Sequence, residues 1–213
     1  MSLHYYRLTP LEQSVEDTYL RLGITEPEHL TITNVASKLN IWVHELDMPS
    51  LVVESRGMYS MNIDRRLTPE RQWEDFLHEL CHVLRHAGNQ TTMPEPMLRM
   101  QETDADRFQL YAAIPYFMLR RLELPERRSE IVELLRSEFR VTRELAQRRL
   151  EQMHRRVLQG VLDEESMRQS LTAAAASTRS SANWSDETKR LMYKLYLQLE
   201  RRKYQRGNRK RPM

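Results

Sequence analysis

The spacing of apolar and polar residues separates a mixed α and β first part of the chain from a helical remainder. Apolar residues recur at intervals of three and four over residues 10–22, and again after a Thr31 or Thr33 cap, which predicts two helices. The pattern then changes to three short β-rich runs. These runs are residues 41–46, 51–54 and 58–63, and the segments 47–50 and 55–57 between them are predicted turns.

The next segment predicts an amphipathic helix with a clear start. Thr68 is a suitable N-cap, Pro69 fits the first helical position, and Glu70 adds negative charge to the first turn. The apolar residues that follow recur at helical spacing and predict one buried face. They are Trp73, Phe76, Leu77, Leu80, Val83 and Leu84.

His78, Glu79 and His82 form an HExxH motif beside this apolar face. Two imidazoles four residues apart on a helix lie about one turn apart on one face and can bind a single metal ion. Glu79 can then take a proton from a water on that ion. A catalytic zinc site of this kind needs a third protein ligand and keeps a fourth position for water. The alternative is a core helix with two hydrogen-bonded histidines and a surface glutamate.

An acidic segment that begins nineteen residues after His82 offers the third ligand. A helix here, joined by a Pro-containing loop at residues 91–96, can fold back against the first. Glu102 would be the third ligand, and Asp106, one turn on, would accept the other N–H of a ligating imidazole. Asp104 lies about 200° around the helix from Glu102 and is left out of the ligand set. The alternative is an exposed acidic helix face.

These residues also carry a family resemblance. The segments HELCHVLRH and QETDADRFQLYAAIP resemble the ImmA/IrrE family of metallopeptidases, and the resemblance covers roughly residues 10–155. It implies that His78, His82 and Glu102 bind zinc, with Mn²⁺ as an alternative metal, and that Glu79 is the general base. Many relatives have Gly where Cys81 stands. We therefore expect Cys81 to pack against the core without touching the metal.

The elements together predict an α+β fold, with a zincin-like catalytic unit followed by a mainly helical C-terminal region. The unit contains a small antiparallel sheet and the HExxH helix. Its last strand, residues 58–63, is expected to lie closest to the metal as an edge that pairs with an extended substrate. An ordinary edge strand is an equal alternative.

The predicted domain organisation has four parts. They are a metallopeptidase domain at 1–120, a helical region at 121–170, an Ala- and Ser-rich linker at 171–183, and a basic amphipathic helix and tail at 184–213. In the second part, helices are predicted over residues 122–139 and 142–157, with Thr142 as an N-cap, and the resemblance implies a helix-turn-helix-like arrangement. Arg and Glu are interleaved there, so packing is favoured over DNA readout.

The C-terminal part differs from the rest in charge. Residues 184–213 contain ten Lys or Arg and three acidic residues, whereas the whole chain has a net charge of +3. Ser185 predicts a helix start, and Leu191, Leu195 and Leu199 form one stripe. Three interpretations stay open: an amphipathic helix that docks on a protein, a segment with weak non-specific DNA affinity, or a soluble tail.

Composition adds a cellular context. A single cysteine fits a reducing compartment, and the N-terminus has no signal-peptide pattern. No stretch is long and apolar enough to span a membrane. These observations predict a cytoplasmic protein without a membrane partner.

The predicted function is a zinc-dependent endopeptidase. The resemblance implies a limited cut in a DNA-binding repressor, a helix-turn-helix protein of a phage or mobile element, which relieves repression. His86 and Tyr111 are candidates for an additional donor to the oxyanion, although a structural role is favoured for each. The alternatives are a non-catalytic zincin-fold regulator that binds a repressor or DNA, and a general degradative peptidase.

Overall fold

The structure is a computed structural model that describes residues 3–86, 93–179 and 184–208. Its α+β class confirms the prediction. The chain forms two compact units, Met1–Gly160 and Val161–Met213. The helices are α1 (Pro10–Arg21), α2 (Ile32–Leu39), α3 (Pro69–Arg85), α4 (Glu95–Ala113), α5 (Tyr116–Leu119), α6 (Arg128–Phe139), α7 (Arg143–Arg179) and α8 (Asp186–Asn208), and the strands are β1 (Ile41–Leu46), β2 (Leu51–Ser55) and β3 (Met58–Asp64).

Four predicted helix caps are confirmed by their hydrogen bonds. Thr31 and Thr68 accept backbone N–H groups at the starts of α2 and α3. Thr142 accepts the N–H of Leu145 at 3.2 Å, and Ser185 accepts that of Thr188 at 3.2 Å. The helix predicted over residues 122–139 begins later, at Arg128. Pro125 lacks a backbone N–H and disfavours a helical residue before it, which explains the late start.

The sheet is mixed, where a wholly antiparallel one was predicted. Its order is β1-β3-β2, with β3 parallel to β1 and antiparallel to β2. β3 is therefore the central strand, so the expectation that residues 58–63 form the edge is wrong. The tight turn at Arg56 and Gly57, both at positive φ, makes β2 and β3 a hairpin. Because β3 then pairs with β1 on its other side, β2 becomes the edge nearer to α3.

The core of the first unit joins residues of all its main elements. Met61 and Ile63 of β3, Phe76 and Leu80 of α3, and Ile114 after α4 are almost completely buried. Residues from α6 and the start of α7 belong to the same core; they include Ile131, Leu135, Phe139, Leu145 and Leu150. The helical segment that follows the catalytic helices thus packs with them up to Gly160. The four-part domain division stays a prediction.

The second unit contains the end of α7 and all of α8. Residues 171–179, predicted as the start of a linker, are helical, and residues 180–183 lie outside the described part. On α8, Leu191 and Leu195 are exposed, and the side chain of Leu199 is outside the description. Among the described residues, no helix combines the length and the apolar character that crossing a bilayer requires.

Candidate metal and catalytic site

Packing of α4 against α3 positions the candidate site. Ala105 and Phe108 of α4 are buried in the same core as Leu80 of α3. Gln109 fixes the two helices further along, because its Nε2 donates to the backbone oxygen of Glu74 at 2.9 Å. The small side chain at position 105 allows the helix backbones to approach closely. Glu102, one turn before Ala105, thereby faces the histidines of α3.

The ligand atoms of His78, His82 and Glu102 converge on one point. The Nε2 atoms of His78 and His82 are 3.3 Å apart. Glu102 Oε2 lies 3.1 Å from His78 Nε2, and Glu102 Oε1 lies 3.6 Å from His82 Nε2. The structure therefore brings together the three residues that the sequence predicts as metal ligands.

These distances fit a small tetrahedral metal ion. Zinc binds His nitrogen and carboxylate oxygen at about 2.0–2.2 Å, so two ligand atoms of a tetrahedron lie roughly 3.3 Å apart. The 3.3 Å between the two histidine nitrogens matches that value. The Glu102 carboxylate places Oε2 3.1 Å from His78 Nε2 and Oε1 3.6 Å from His82 Nε2, so it can supply the third ligand atom. Two nitrogens and one oxygen also form the donor set of catalytic zinc sites, which leave a fourth position for water. The residues present thus fit zinc.

The environment of His82 favours the form that can bind a metal. Its side chain is 8% exposed, and this burial lowers the pKa of His82, while the Glu102 carboxylate opposes the shift. A neutral imidazole has the free lone pair that coordination needs. His78 is more accessible, at 23%, and Glu102 is the most accessible of the three, at 45%. The convergence point is therefore open to solvent from the Glu102 side.

Glu79 lies next to this point in a half-buried position. Burial raises the pKa of Glu79 to about 7, and His78 and the backbone N–H of Val52 partly oppose the shift. A carboxylate that titrates near neutrality can both accept and return a proton under ordinary conditions. Glu79 therefore has the properties of a general base.

The sheet approaches α3 through β2. Val52 belongs to β2, and its backbone N–H lies close enough to Glu79 to oppose the rise of that carboxyl's pKa. Within the described residues β2 pairs with β3 alone, and its other edge faces α3 and the site. Ser50, just before β2, holds this arrangement, since its hydroxyl donates to Asp75 of α3 at 2.7 Å and accepts the N–H of Asp64 at 3.1 Å.

The other predicted site residues occupy different positions. Asp106 Oδ1 lies 3.8 Å from His78 Nδ1, which is beyond hydrogen-bonding distance. Nδ1 is nevertheless the His78 nitrogen turned away from the ligand centre, as predicted for the partner of Asp106. His86 lies behind His82, with 2.9 Å between their Nδ1 atoms.

Tyr111 packs under the guanidinium of Arg149, 5.0 Å from its ring centre, about 13 Å along α4 from Glu102. The structure does not bring Tyr111 to the site. Cys81 is fully buried in the core, as expected.

Two features of the site were not found from the sequence. Asp104 accepts hydrogen bonds near the end of α3, from Arg85 Nε at 2.8 Å, and lies 3.3 Å from His86 Nε2. A ligand search restricted to the helix face of Glu102 excludes Asp104. The four-residue spacing of His82 and His86, together with an acidic residue two positions after Glu102, is a sequence signal that could have indicated it. The contact of Val52 with Glu79 depends on strand order, for which the sequence contains no local signal.

Comparisons with known proteins place this site in a family. The family model described as the IrrE N-terminal-like domain, a peptidase family, matches residues 36–151. Phage-like element PBSX protein XkdA of Bacillus subtilis (strain 168) is 45% identical over 149 residues, which are 70% of this chain and 75% of that protein. The uncharacterized protein YqaB of the same organism is 32% identical over 154 residues, 72% of this chain and 90% of that protein.

An HExxH helix that faces a carboxylate of the following helix, beside a small sheet, is the layout of zincin-like peptidases. The match extends from α2 to the first part of α7 and includes every residue of the site. The chain belongs to the IrrE N-terminal-like domain family of peptidases, and the ImmA/IrrE resemblance is confirmed.

Proposed function

We propose that this protein is a zinc-dependent endopeptidase that makes a limited cut in a DNA-binding repressor of a phage or mobile element. The observation that carries the proposal is the convergence of His78, His82 and Glu102, with 3.3 Å between the two histidine nitrogens and the half-buried Glu79 beside them. A protein that only binds a partner has no need for this base. The name of the relative XkdA, a phage-like element protein, supports the genetic context.

The chain's own residues divide the chemistry between them. His78, His82 and Glu102 would hold zinc, which supplies Lewis acidity toward water and the scissile carbonyl. Glu79 accepts the proton of the attacking water at its carboxylate and delivers it to the leaving amine. The nearby N–H of Val52 favours the charged form of this carboxylate.

The edge of β2 supports an extended peptide substrate. In the described part of the chain, the edge of β2 opposite β3 has no partner strand and faces α3, so a peptide that pairs there passes beside Glu79. Main-chain hydrogen bonds hold a peptide without reading its side chains. Selection of one repressor would then require further contacts outside this strand.

Co-expression with the repressor encoded nearest to the gene tests the proposal. Wild type is compared with Glu79→Gln, and Glu95→Gln serves as a control because that exposed carboxylate lies outside the site. We expect one discrete cut with wild type and control, seen by gel and intact mass, and none with Glu79→Gln, whose zinc content stays normal. A stable complex without a cut in all three would instead indicate a non-catalytic regulator.

We also propose that the basic C-terminal segment adds weak, non-specific DNA affinity, which would keep the peptidase near a DNA-bound target. The support is its excess of Lys and Arg. Binding to random duplex DNA should weaken as salt rises and disappear when residues 184–213 are deleted. Binding that is indifferent to salt would contradict this role and favour docking of α8 on a protein.

A further inference from the structure

A row of polar side chains stands behind His82, on the side away from the ligand convergence point. The Nδ1 atoms of His82 and His86 are 2.9 Å apart. On the other side of the His86 ring, Nε2 lies 3.3 Å from Asp104 Oδ2. The same oxygen accepts a hydrogen bond from Arg85 Nε at 2.8 Å. We call His82, His86 and Asp104 the backing row.

The proton positions along the backing row follow from one another. The Nε2 of His82 needs its lone pair for a metal, so the proton of a neutral His82 must be on Nδ1. That N–H can donate to His86 only if the Nδ1 of His86 carries a lone pair. The proton of His86 is then on Nε2, where the Asp104 carboxylate accepts it. Each step therefore selects one tautomer of the next ring.

Burial strengthens these contacts. The side chain of His82 is 8% exposed, that of His86 10%, and that of Asp104 29%. Water has little access to compete for the two imidazoles, and a hydrogen bond in such surroundings is stronger than one in solvent. Arg85 keeps the carboxylate of Asp104 in place. Asp104 is thus held in place at one end of the row, and His82 is shielded from solvent at the other end.

We propose that His86 and Asp104 are positioning residues for the metal site: His86 holds His82 in the tautomer and ring orientation that present Nε2, and Asp104 holds His86. This inference rests on the proposed metal-dependent function. It replaces the sequence-based expectation that His86 donates to the oxyanion. Metal-bound histidines in proteins usually donate their second N–H to a carboxylate, carbonyl or water, and loss of such a partner weakens metal binding by about 10- to 100-fold. Here the imidazole of His86 would take the place of that acceptor.

The same region suggests a rival explanation. Cys81, His86 and Asp104 present atoms within 4.8 Å of one another, which is close enough for a second metal ion. Arg85 argues against this, because its guanidinium already contacts the carboxylate that a cation would need. The thiol of Cys81 is also fully buried in the core. Tight binding of two metal ions per chain would contradict the positioning role of His86 and Asp104.

Zinc affinity of the full chain, measured by competition with a chromogenic chelator, tests the row without substrate. We expect His86→Ala to weaken zinc binding about 10- to 100-fold. His86→Asn should keep most of the affinity, because its side-chain oxygen can stand where Nδ1 accepts. Asp104→Asn should weaken binding when His86 is present and add nothing to His86→Ala. His154→Ala is the matched control, since His154 is exposed on α7.

Nitrogen-15 NMR of the zinc-loaded wild type provides a readout that needs no variant. We expect His82 to carry its proton on Nδ1 and His86 on Nε2. The opposite tautomer of His86 would overturn the row, as would a His86→Ala variant that binds zinc as tightly as wild type. If the wild type binds no zinc, the proposed function itself fails. The two failures are therefore distinguishable.

Discussion

Two polar clusters in the first compact unit use charge in opposite ways. In the Arg149 cluster, the guanidinium is fully buried and donates to Glu12 at 2.9 Å and to Gln152 at 2.6 Å. It also donates to the backbone oxygen of Ile114 at 3.1 Å. Tyr6 hydrogen-bonds to the same Glu12 carboxylate. The opposite charges meet inside the cluster, which joins α1, α7 and the end of α4.

The metal-ligand set of His78, His82 and Glu102 is arranged differently. Its two imidazole nitrogens and its carboxylate face one another across a shared centre that a metal ion can occupy. Glu102 remains 45% exposed. The comparison teaches that a structural ion pair satisfies its charges inside the core, whereas this candidate site leaves its polar atoms facing an accessible centre. Removal of a charge should then have different consequences in the two clusters.

The largest effect on stability should come from Arg149→Met. The variant leaves Glu12 buried without its counter-charge, which costs about 3–5 kcal/mol. Urea denaturation of the zinc-free chain measures this, with Arg148→Met as the control because Arg148 is exposed on the same helix. Adding Glu12→Gln should restore part of the loss, since it removes the unpaired charge. A loss below about 1 kcal/mol would place the cluster among weak surface pairs.

Glu102→Gln should show the opposite profile. The variant loses a negatively charged ligand, so zinc affinity should fall by more than the roughly 10- to 100-fold expected for an outer partner. Its stability without zinc should stay within about 0.5 kcal/mol of wild type, because the carboxylate is partly exposed. A thermal scan with and without zinc separates the two quantities, and Glu95→Gln is the control. A zinc-dependent rise in Tm equal to that of wild type would contradict the assigned ligand.

The smallest effect concerns alkaline pH. Burial raises the pKa of Tyr6 to about 12, with the Arg149 charge opposing the shift. Because the folded-state pKa lies above the unfolded value of about 10, the stability from neutral Tyr6 is complete below pH 10 and is lost as pH rises toward 12. Tyr6→Phe lacks this loss. The stability gap between wild type and Tyr6→Phe should therefore narrow by on the order of 2 kcal/mol between pH 9 and 11.5, measured by urea denaturation. A stability difference that stays constant with pH would contradict the raised pKa of Tyr6 as the cause.

Local sequence signals predicted the parts of the fold that depend on local physics. Thr68 and Thr142 were identified as caps because a side-chain oxygen before an amphipathic run satisfies free N–H groups, whatever the rest of the chain does. The HExxH spacing likewise fixes His78 and His82 on one face. Glu102 followed from the family resemblance and from helix periodicity.

Features that depend on long-range packing were mispredicted or missed. The strand order that makes β2 the edge results from β1 pairing with β3 across the hairpin, and no short segment contains that information. Tyr111 is a sequence candidate for the site, but in the fold its ring packs against the buried Arg149. Reasoning from one helix face excludes Asp104, because it ignores how the end of α3 lies across α4. Arg149 itself looks like any surface arginine in an alternating Arg and Glu segment.

The open edge of β2 has a further consequence for the behaviour of the protein in concentrated solution. Unpaired backbone groups accept any extended strand, including one from a second copy of the chain, so such an edge promotes aggregation. Val53 is 52% exposed on this strand. Glu54 and Arg56 place opposite charges at its hairpin end, where Glu54 also accepts the N–H of Gly57 at 3.2 Å. These charges would act as gatekeepers that keep the strand available to peptides without self-association.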